Sequence, residues 1–384
     1  MSLEAVTAEL AARAAEHDRD ATFPHDGIAV VHKHGLLTAT VAARHGGEGA
    51  GLARTVDILS ALGAGDPAVA LVTAMTLFTH AAQALEPSWP EHLYEELLAE
   101  GRAGPALVNA LRVEPELGSP VRGGLPATVG RRDGASFVLD GHKIFSTGAV
   151  ALSWMAVWGR TDDDPARVGS FLVRGGSPGV RVEPTWDHLG LRASRSDDVH
   201  LEGVRVPLDA FVHTPAGRGA GLMAWNALGL TALYLGVATA ARDWLIGFLH
   251  ERTPAALGKP LAALPRFQAA VGEIEALLVS ASALVRAQAA DHDNGVAVDA
   301  GIGKLVGTRA AIGAVEQAVA LTGNNALTRR NPLERHLRDV LCARIHTPQD
   351  DTVLAAAGQA ALSKYQPKYQ PGYPMTQHTK EQTP

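Results

Sequence analysis

The sequence predicts a mostly helical α+β protein in three parts: a helical domain, a compact β domain and a closing helical bundle. Three observations carry this. Apolar residues recur at spacings of three and four up to about residue 108, short extended pieces rich in Gly and Pro follow from 109, and long helical patterns return from 216 to 364. With 384 residues and 46% hydrophobic content, the chain can bury two or three cores. A net charge of -6 without any basic run argues against nucleic-acid and polybasic membrane binding. Cys342 is the single cysteine, which excludes internal disulfides and suits a reducing, cytoplasmic setting, and no Cys/His spacing of the structural zinc kind is present. The start, Met-Ser-Leu-Glu-Ala, has neither the basic nor the apolar region of a signal peptide, so none is expected.

In the first domain, residues 1–108, helical periodicity marks 3–15, 28–37 and 56–62. Asp66-Pro67 reads as a helix start, an N-cap acceptor followed by Pro at the first helical position, and opens a nearly all-apolar helix over 68–85 that must be buried. In the β domain, residues 109–215, strands are expected at 154–158, 169–173, 180–182 and 199–206, separated by turns such as Gly175-Gly-Ser-Pro-Gly179. The pairs Asp133-Gly134 and Asp140-Gly141 bracket Phe137-Val-Leu139 and read as hairpin turns that feed a strand over 143–146. The bundle, residues 216–364, is broken at Thr253-Pro254 and at Asp291-His-Asp-Asn-Gly295, giving segments that suit a four-helix bundle. Residues 219–241 carry no charge, yet Gly, Ala, Thr, Asn226 and Tyr234 dilute the stretch and Arg242-Asp243 follow at once. A helix enclosed by a bundle therefore explains it better than a membrane span. Residues 365–384, rich in Pro and Gln without periodicity, read as a disordered tail.

Within the β domain, Gly141-His-Lys-Ile-Phe-Ser-Thr-Gly-Ala-Val150 looks like a strand edge built to hold a flat redox cofactor. Thr147 offers a hydroxyl, and Gly148 and Ala149 are small enough for a ring to approach the backbone. An ordinary barrel strand with a Gly bulge is the alternative reading of the same residues.

Taken with three further motifs, this stretch and this order of domains resemble the acyl-CoA dehydrogenase superfamily of flavoproteins over about residues 20–365. Val113-Glu-Pro-Glu-Leu-Gly-Ser119 looks like the family's Thr-Glu-Pro-x-x-Gly-Ser loop, and Gly141-x-Lys-x-Phe-x-Thr147 like its flavin strand. Leu189-Gly-Leu-Arg-Ala-Ser194 through Val204-Arg-Val-Pro207 looks like the closing strand pair. Gly323-Asn-Asn325 with Pro332-Leu-Glu334 and Arg338-Asp339 looks like the Gly-rich turn and Arg-Asp helix. The resemblance implies a flavin, FAD or FMN, with Thr147 at the N5 edge and Phe145 against the ring. Ser119 and the backbone of Leu111 and Val113 would touch its polar edge. It also implies that Gly323, Asn324 and Asn325 meet the pyrophosphate of a neighbouring subunit's cofactor, and hence a homo-oligomer, a tetramer or dimer. Arg252 resembles a phosphate-contacting Arg, although two extra residues precede Gly258, and Val113 and Ala320 each replace a polar family residue. Gln349 joins the cofactor-binding positions.

The resemblance then divides between two chemistries. Acyl-CoA dehydrogenation requires a carboxylate above the flavin. The family's two positions for it fall on Thr347 and Ala232, and its CoA-holding acid and Arg fall on Leu230 and Leu233. His346 instead matches the histidine of the flavin-dependent monooxygenase branch, whose Asn-Pro-Leu-x-Arg-His block is echoed by Asn331-Pro-Leu-Glu-Arg-His336. A histidine can give or take a proton near neutral pH. His80 is a second candidate for the pocket, or else a core histidine bonded to a backbone carbonyl, while His142 and His336 read as surface or ion-pairing residues. The expectation is a two-component-type monooxygenase that takes reduced flavin from a separate reductase, since no Gly-x-Gly-x-x-Gly fingerprint is present, and oxygenates a small sulfur-, nitrogen- or ring-containing substrate. The alternatives are a desaturating flavoenzyme with Asp350 or Asp351 as base, these residues being otherwise helix caps, and a non-catalytic flavin-binding protein with Trp154, Trp158 and Trp225 filling the pocket.

Overall fold

The structure is a computed structural model that describes residues 2–117, 124–214 and 220–365. Five helices form the first layer: α1 (Leu3–Asp20), α2 (His25–Lys33), α3 (Leu52–Gly65), α4 (Pro67–Leu85) and α5 (Glu91–Ala103). Asp66 caps α4 as its sequence suggests, Oδ1 accepting from the amides of Ala68 at 2.9 Å and Val69 at 3.3 Å. The helix is enclosed on nearly every side, and each buried large apolar side chain, such as Val69, Leu71 and Leu77, contributes about 1.5–3 kcal/mol over its exposed state.

Eight strands follow: β1 (Leu107–Leu111), β2 (Val129–Asp133), β3 (Ser136–Lys143), β4 (Leu152–Thr161), β5 (Val168–Arg174), β6 (Val180–Glu183), β7 (Asp198–Pro207) and β8 (Phe211–His213). Their order is β6-β7-β3-β2-β4-β5-β8, with β1 parallel to the first half of β4 and β2 parallel to its last two residues. The four strands expected at 154–158, 169–173, 180–182 and 199–206 are β4 to β7. Phe137, Phe171 and Phe211 fill the space between them with ring centroids 4.7–5.8 Å apart.

The reading of residues 133–146 needs correction. Asp133-Gly134 is a hairpin turn, Gly134 at φ 59 linking β2 to β3, whereas Asp140-Gly141 lies inside β3. A Cβ on Gly141 would come within 2.4 Å of the Thr128 side chain, so this glycine serves close packing and not a turn. The strand stops at Lys143, and the chain then turns through Phe145 at φ 56 and Gly148 at φ 75. The flavin-strand motif is thus a strand end followed by a tight turn.

The third layer holds α6 (Ala220–Glu251), α7 (Pro265–Asp293), α8 (Ala300–Thr322), α9 (Asn324–Leu327), α10 (Leu333–Leu341) and α11 (Asp350–Ser363). The three long helices are as expected, and the shorter α10 and α11 stand where a fourth long one was anticipated. Among the described residues α4, α6 and α7 are long and apolar enough to cross a membrane. The most apolar window of α6 is 78% buried within the protein, which accounts for its lack of charge by packing. The expected disordered tail lies outside the described residues from 366 on.

Candidate active site

Two clusters stand out, one at the flavin-strand turn and one between α6 and the chain after α10. The first forms at the turn itself. Thr147 is nearly buried; its carbonyl accepts from Asn109 Nδ2 at 3.0 Å and its hydroxyl accepts from Ser196 Oγ at 3.1 Å. Gly148 N donates to Ser194 O at 2.9 Å, so the turn is laced to the segment between β6 and β7. Ser146 Oγ beside it is buried with no hydrogen-bond partner. The Phe145 ring is 52% exposed and meets Trp186 and His188 edge-on at 6.4 and 5.9 Å, those two rings being stacked at 3.6 Å. An exposed flat apolar face therefore lies beside buried hydroxyls, one of them with unused capacity.

What fixes this turn is the ion pair of Lys143 Nζ with Glu114 Oε1 at 2.6 Å, both side chains essentially sealed from solvent. Glu114 also accepts from Thr128 N, Thr128 Oγ1 and Ala127 N. Burial opposes its charge, but these donors and Lys143 hold its carboxyl below the usual range, while burial lowers the Lys143 ammonium. The motif beginning at Val113 and the strand ending at Lys143 are two halves of one bond. Leu111 is buried at the end of β1, and Val113 O accepts from Ile144 N at 3.1 Å, adding a second tie. Ser119 lies outside the described residues.

The second cluster joins α6 to the chain after α10. Tyr234, sealed in α6, and His346 share a hydrogen bond of 2.6 Å between the phenol oxygen and Nε2. Part of His346 remains accessible, yet burial of the ring, assisted by the Lys304 charge, lowers its pKa to about 4. Burial raises the Tyr234 phenol well above its ordinary range. Both groups are thus neutral at working pH. Asn226 Nδ2 donates to Thr347 O at 2.9 Å and seats the adjoining residue. Asp339 of α10 ties that helix to the segment between β6 and β7, its Oδ1 accepting from Leu191 N at 2.7 Å. Burial pushes its carboxyl up to about 7 despite that bond and Arg335.

The remaining candidates are scattered. Asp350 forms ion pairs with the buried Lys304 at 3.3 Å and with Arg309 at 3.1 Å, in the first turn of α11. Asp351 is exposed and accepts from Thr352 N at 2.8 Å, while Gln349 is the N-cap residue of α11. His80 is sealed in α4, and its Nδ1 meets the Tyr94 hydroxyl at 3.1 Å, so its partner is a side chain of the first domain and not a backbone carbonyl. His336, expected at the surface, is buried: α10 turns it inward, its Nδ1 has no partner, and burial next to Arg335 lowers its pKa to about 3. His142 is ion-paired with Asp198, as read. Arg252 is exposed just past α6, and Leu261 N donates to its carbonyl at 3.0 Å. Gly323 caps α8 at φ 55, and Asn325 Nδ2 donates to Thr322 O at 3.2 Å. Trp154 is core, stacked under Arg174 and bonded to Glu100. Tyr234, Asn109, Ser196 and Lys304 escaped sequence reading. Of these only Tyr234 left a signal, since a phenol in a charge-free buried helix needs a partner.

Comparison with known proteins fits this arrangement. The family models for the acyl-CoA dehydrogenase N-terminal, middle and C-terminal domains match residues 3–86, 112–204 and 228–350. The chain is 32% identical to YdbM of Bacillus subtilis over 347 residues, covering 89% of this chain and 90% of YdbM. It is 28% identical to cyclohex-1-ene-1-carbonyl-CoA dehydrogenase of Geobacter metallireducens, covering 94% and 96%. Among solved structures, KijD3 in complex with FMN and a dTDP-linked amino-keto sugar superimposes with TM-score 0.82 at 27% identity, covering 95% of this chain and 93% of KijD3. With all three of its domains present in order, the chain belongs to the acyl-CoA dehydrogenase family.

Proposed function

We propose that the chain binds a flavin, FMN or FAD, at the Phe145–Thr147 turn and works as a two-component-type monooxygenase on a small sulfur-, nitrogen- or ring-containing substrate. Bound reduced flavin, delivered by a separate reductase, would supply the electrons and the reaction with oxygen. The residues fit such a ring: Phe145 offers a flat apolar contact, and Thr147 and the unpartnered Ser146 hydroxyl offer a polar edge. KijD3, solved with FMN, supports the same cofactor class, and its amino-sugar ligand supports nitrogen-bearing substrates.

One observation carries the choice of oxygenase over dehydrogenase: a neutral imidazole adjoins the family's base position at Thr347, while Asp350 nearby in sequence is ion-paired. The bond between the Tyr234 phenol and Nε2 orients the neutral ring: with the phenol as donor Nδ1 would carry the ring proton, and with the phenol as acceptor Nδ1 would hold the lone pair that takes a proton from substrate. Asp350 has each of its oxygens engaged by a cation, Oδ1 by Lys304 and Oδ2 by Arg309. The second reading, acyl-CoA desaturation, is favoured by the name of the Geobacter relative.

Anaerobic mixing of the flavin-loaded protein with acyl-CoA thioesters separates the two, since a dehydrogenase bleaches its flavin and an oxygenase does not. The oxygenase reading further expects labelled O2 to enter an amine or thioether product when a flavin reductase is supplied. Bleaching by an acyl-CoA, abolished in Asp350→Asn, would overturn it. Tyr234→Phe should slow turnover about 10-fold, the worth of one hydrogen bond of about 1.4 kcal/mol.

We also propose self-association. The most apolar window of α7 is only 22% buried within one chain, leaving a face for copies of itself, and equilibrium sedimentation would reveal a monomer if this is wrong.

A further inference from the structure

On the opposite side of the sheet from Lys143 lies a cluster that the flavin reading does not use. His142 of β3 and His200 of β7 are directly paired across the strands, and on β6 Glu183 is paired with Asp198 of β7. Their side chains therefore share one face. The two imidazoles are stacked, centroids 4.1 Å apart and planes within 19°.

We propose that His142, Asp198 and His200 form a binding site for a divalent transition-metal ion of the zinc kind. One ring nitrogen of each histidine and a carboxylate oxygen of Asp198 all lie within 4.8 Å of one another. Side-chain rotations of about an ångström would bring them to the ~2.0–2.2 Å bonds of a zinc ion. Asp198 is prepared for the task. Its Oδ1 accepts from Thr185 Oγ1 at 2.7 Å, leaving Oδ2, now 2.7 Å from His142 Nε2, to face the ion. His200 Nε2 is buried and stands 2.9 Å from Glu183 Oε2, so a further carboxylate already borders the nitrogen at this site. Two nitrogens and one oxygen select zinc-like ions over calcium or magnesium, and Glu183 or water would complete the shell. An ion here would clamp β3 to β7, and so brace the strand that ends in the flavin turn, without touching it.

The test is calorimetric titration of chelator-treated, untagged protein with ZnCl2. One Zn2+ per chain is expected. His200→Ala and Asp198→Asn should each weaken that event by at least 10-fold, and Thr185→Val, which frees the carboxylate, by about 10- to 100-fold. Cu2+ in the same place should show paramagnetic resonance splitting from two imidazole nitrogens in wild type and from one in His142→Gln. Each variant is checked for fold by circular dichroism and thermal melting, and a variant that fails to fold is replaced by the other single-ligand change. No uptake by wild type, or isotherms that the substitutions leave unchanged, would overturn the site.

Discussion

His80 and His346 make an instructive pair. Each meets a tyrosine hydroxyl, Tyr94 at 3.1 Å and Tyr234 at 2.6 Å, and burial lowers each pKa to about 4. Yet His80 is 2% exposed among Tyr94, Trp89 and His45, a cluster that closes the first domain on itself. His346 keeps an accessible side and adjoins Thr347, Lys304 and the chain leading to α11. The same two side chains at the same shifted acidity thus sit sealed within one domain in one place and at the junction of α6 with the chain leading to α11 in the other. A perturbed pKa identifies burial, and access decides whether chemistry can use it.

The comparison breaks most readily at His346. His346→Gln should lower oxygenation about 100- to 10,000-fold while flavin binding, followed by fluorescence quenching, stays near wild type. Equal loss of both would reduce His346 to a structural role. Next in size is a buried pair with no access at all: Lys143→Met should cost about 3–5 kcal/mol in denaturant unfolding because it strands the Glu114 charge. His80→Leu, which leaves the Tyr94 hydroxyl unpartnered, should cost about 1–3 kcal/mol of stability. Its turnover should hold once the fold is intact, and a specific loss of turnover would move His80 into the working site.

A further effect is on pH. Both histidines have folded pKa values of about 4 against about 6.5 in an unfolded chain, so below pH 6.5 the unfolded state takes up protons first. Their contribution is full above about 6.5 and is lost progressively toward pH 4. Denaturant midpoints should fall over that interval, and fall less in the His80→Leu, His346→Leu double variant.

The sequence made the layer order legible because each change of texture coincides with a change of element, and Asp66-Pro67 announced α4 by local chemistry alone. It could not show that Glu114 and Lys143 are one interaction, since 29 positions separate them, nor that Ser196 reaches Thr147 from 49 positions away. Gly141 misled for a physical reason: a glycine needed for contact with Thr128 looks the same in sequence as one needed for a turn. Tyr234 was visible as a residue, but its partner comes from 112 positions further on.

One small contact has a large reach. Asp293, the last residue of α7, accepts hydrogen bonds from the amides of Leu52 at 2.7 Å and Ala53 at 2.9 Å, and so finishes the start of α3 from 240 residues downstream. A Cβ on Gly51 would strike that same carboxylate. The first helical layer therefore borrows part of its own architecture from the last, and a fragment cut after residue 108 would emerge with α3 frayed at its beginning. Shuffling modules between relatives at that boundary would have to carry this aspartate along.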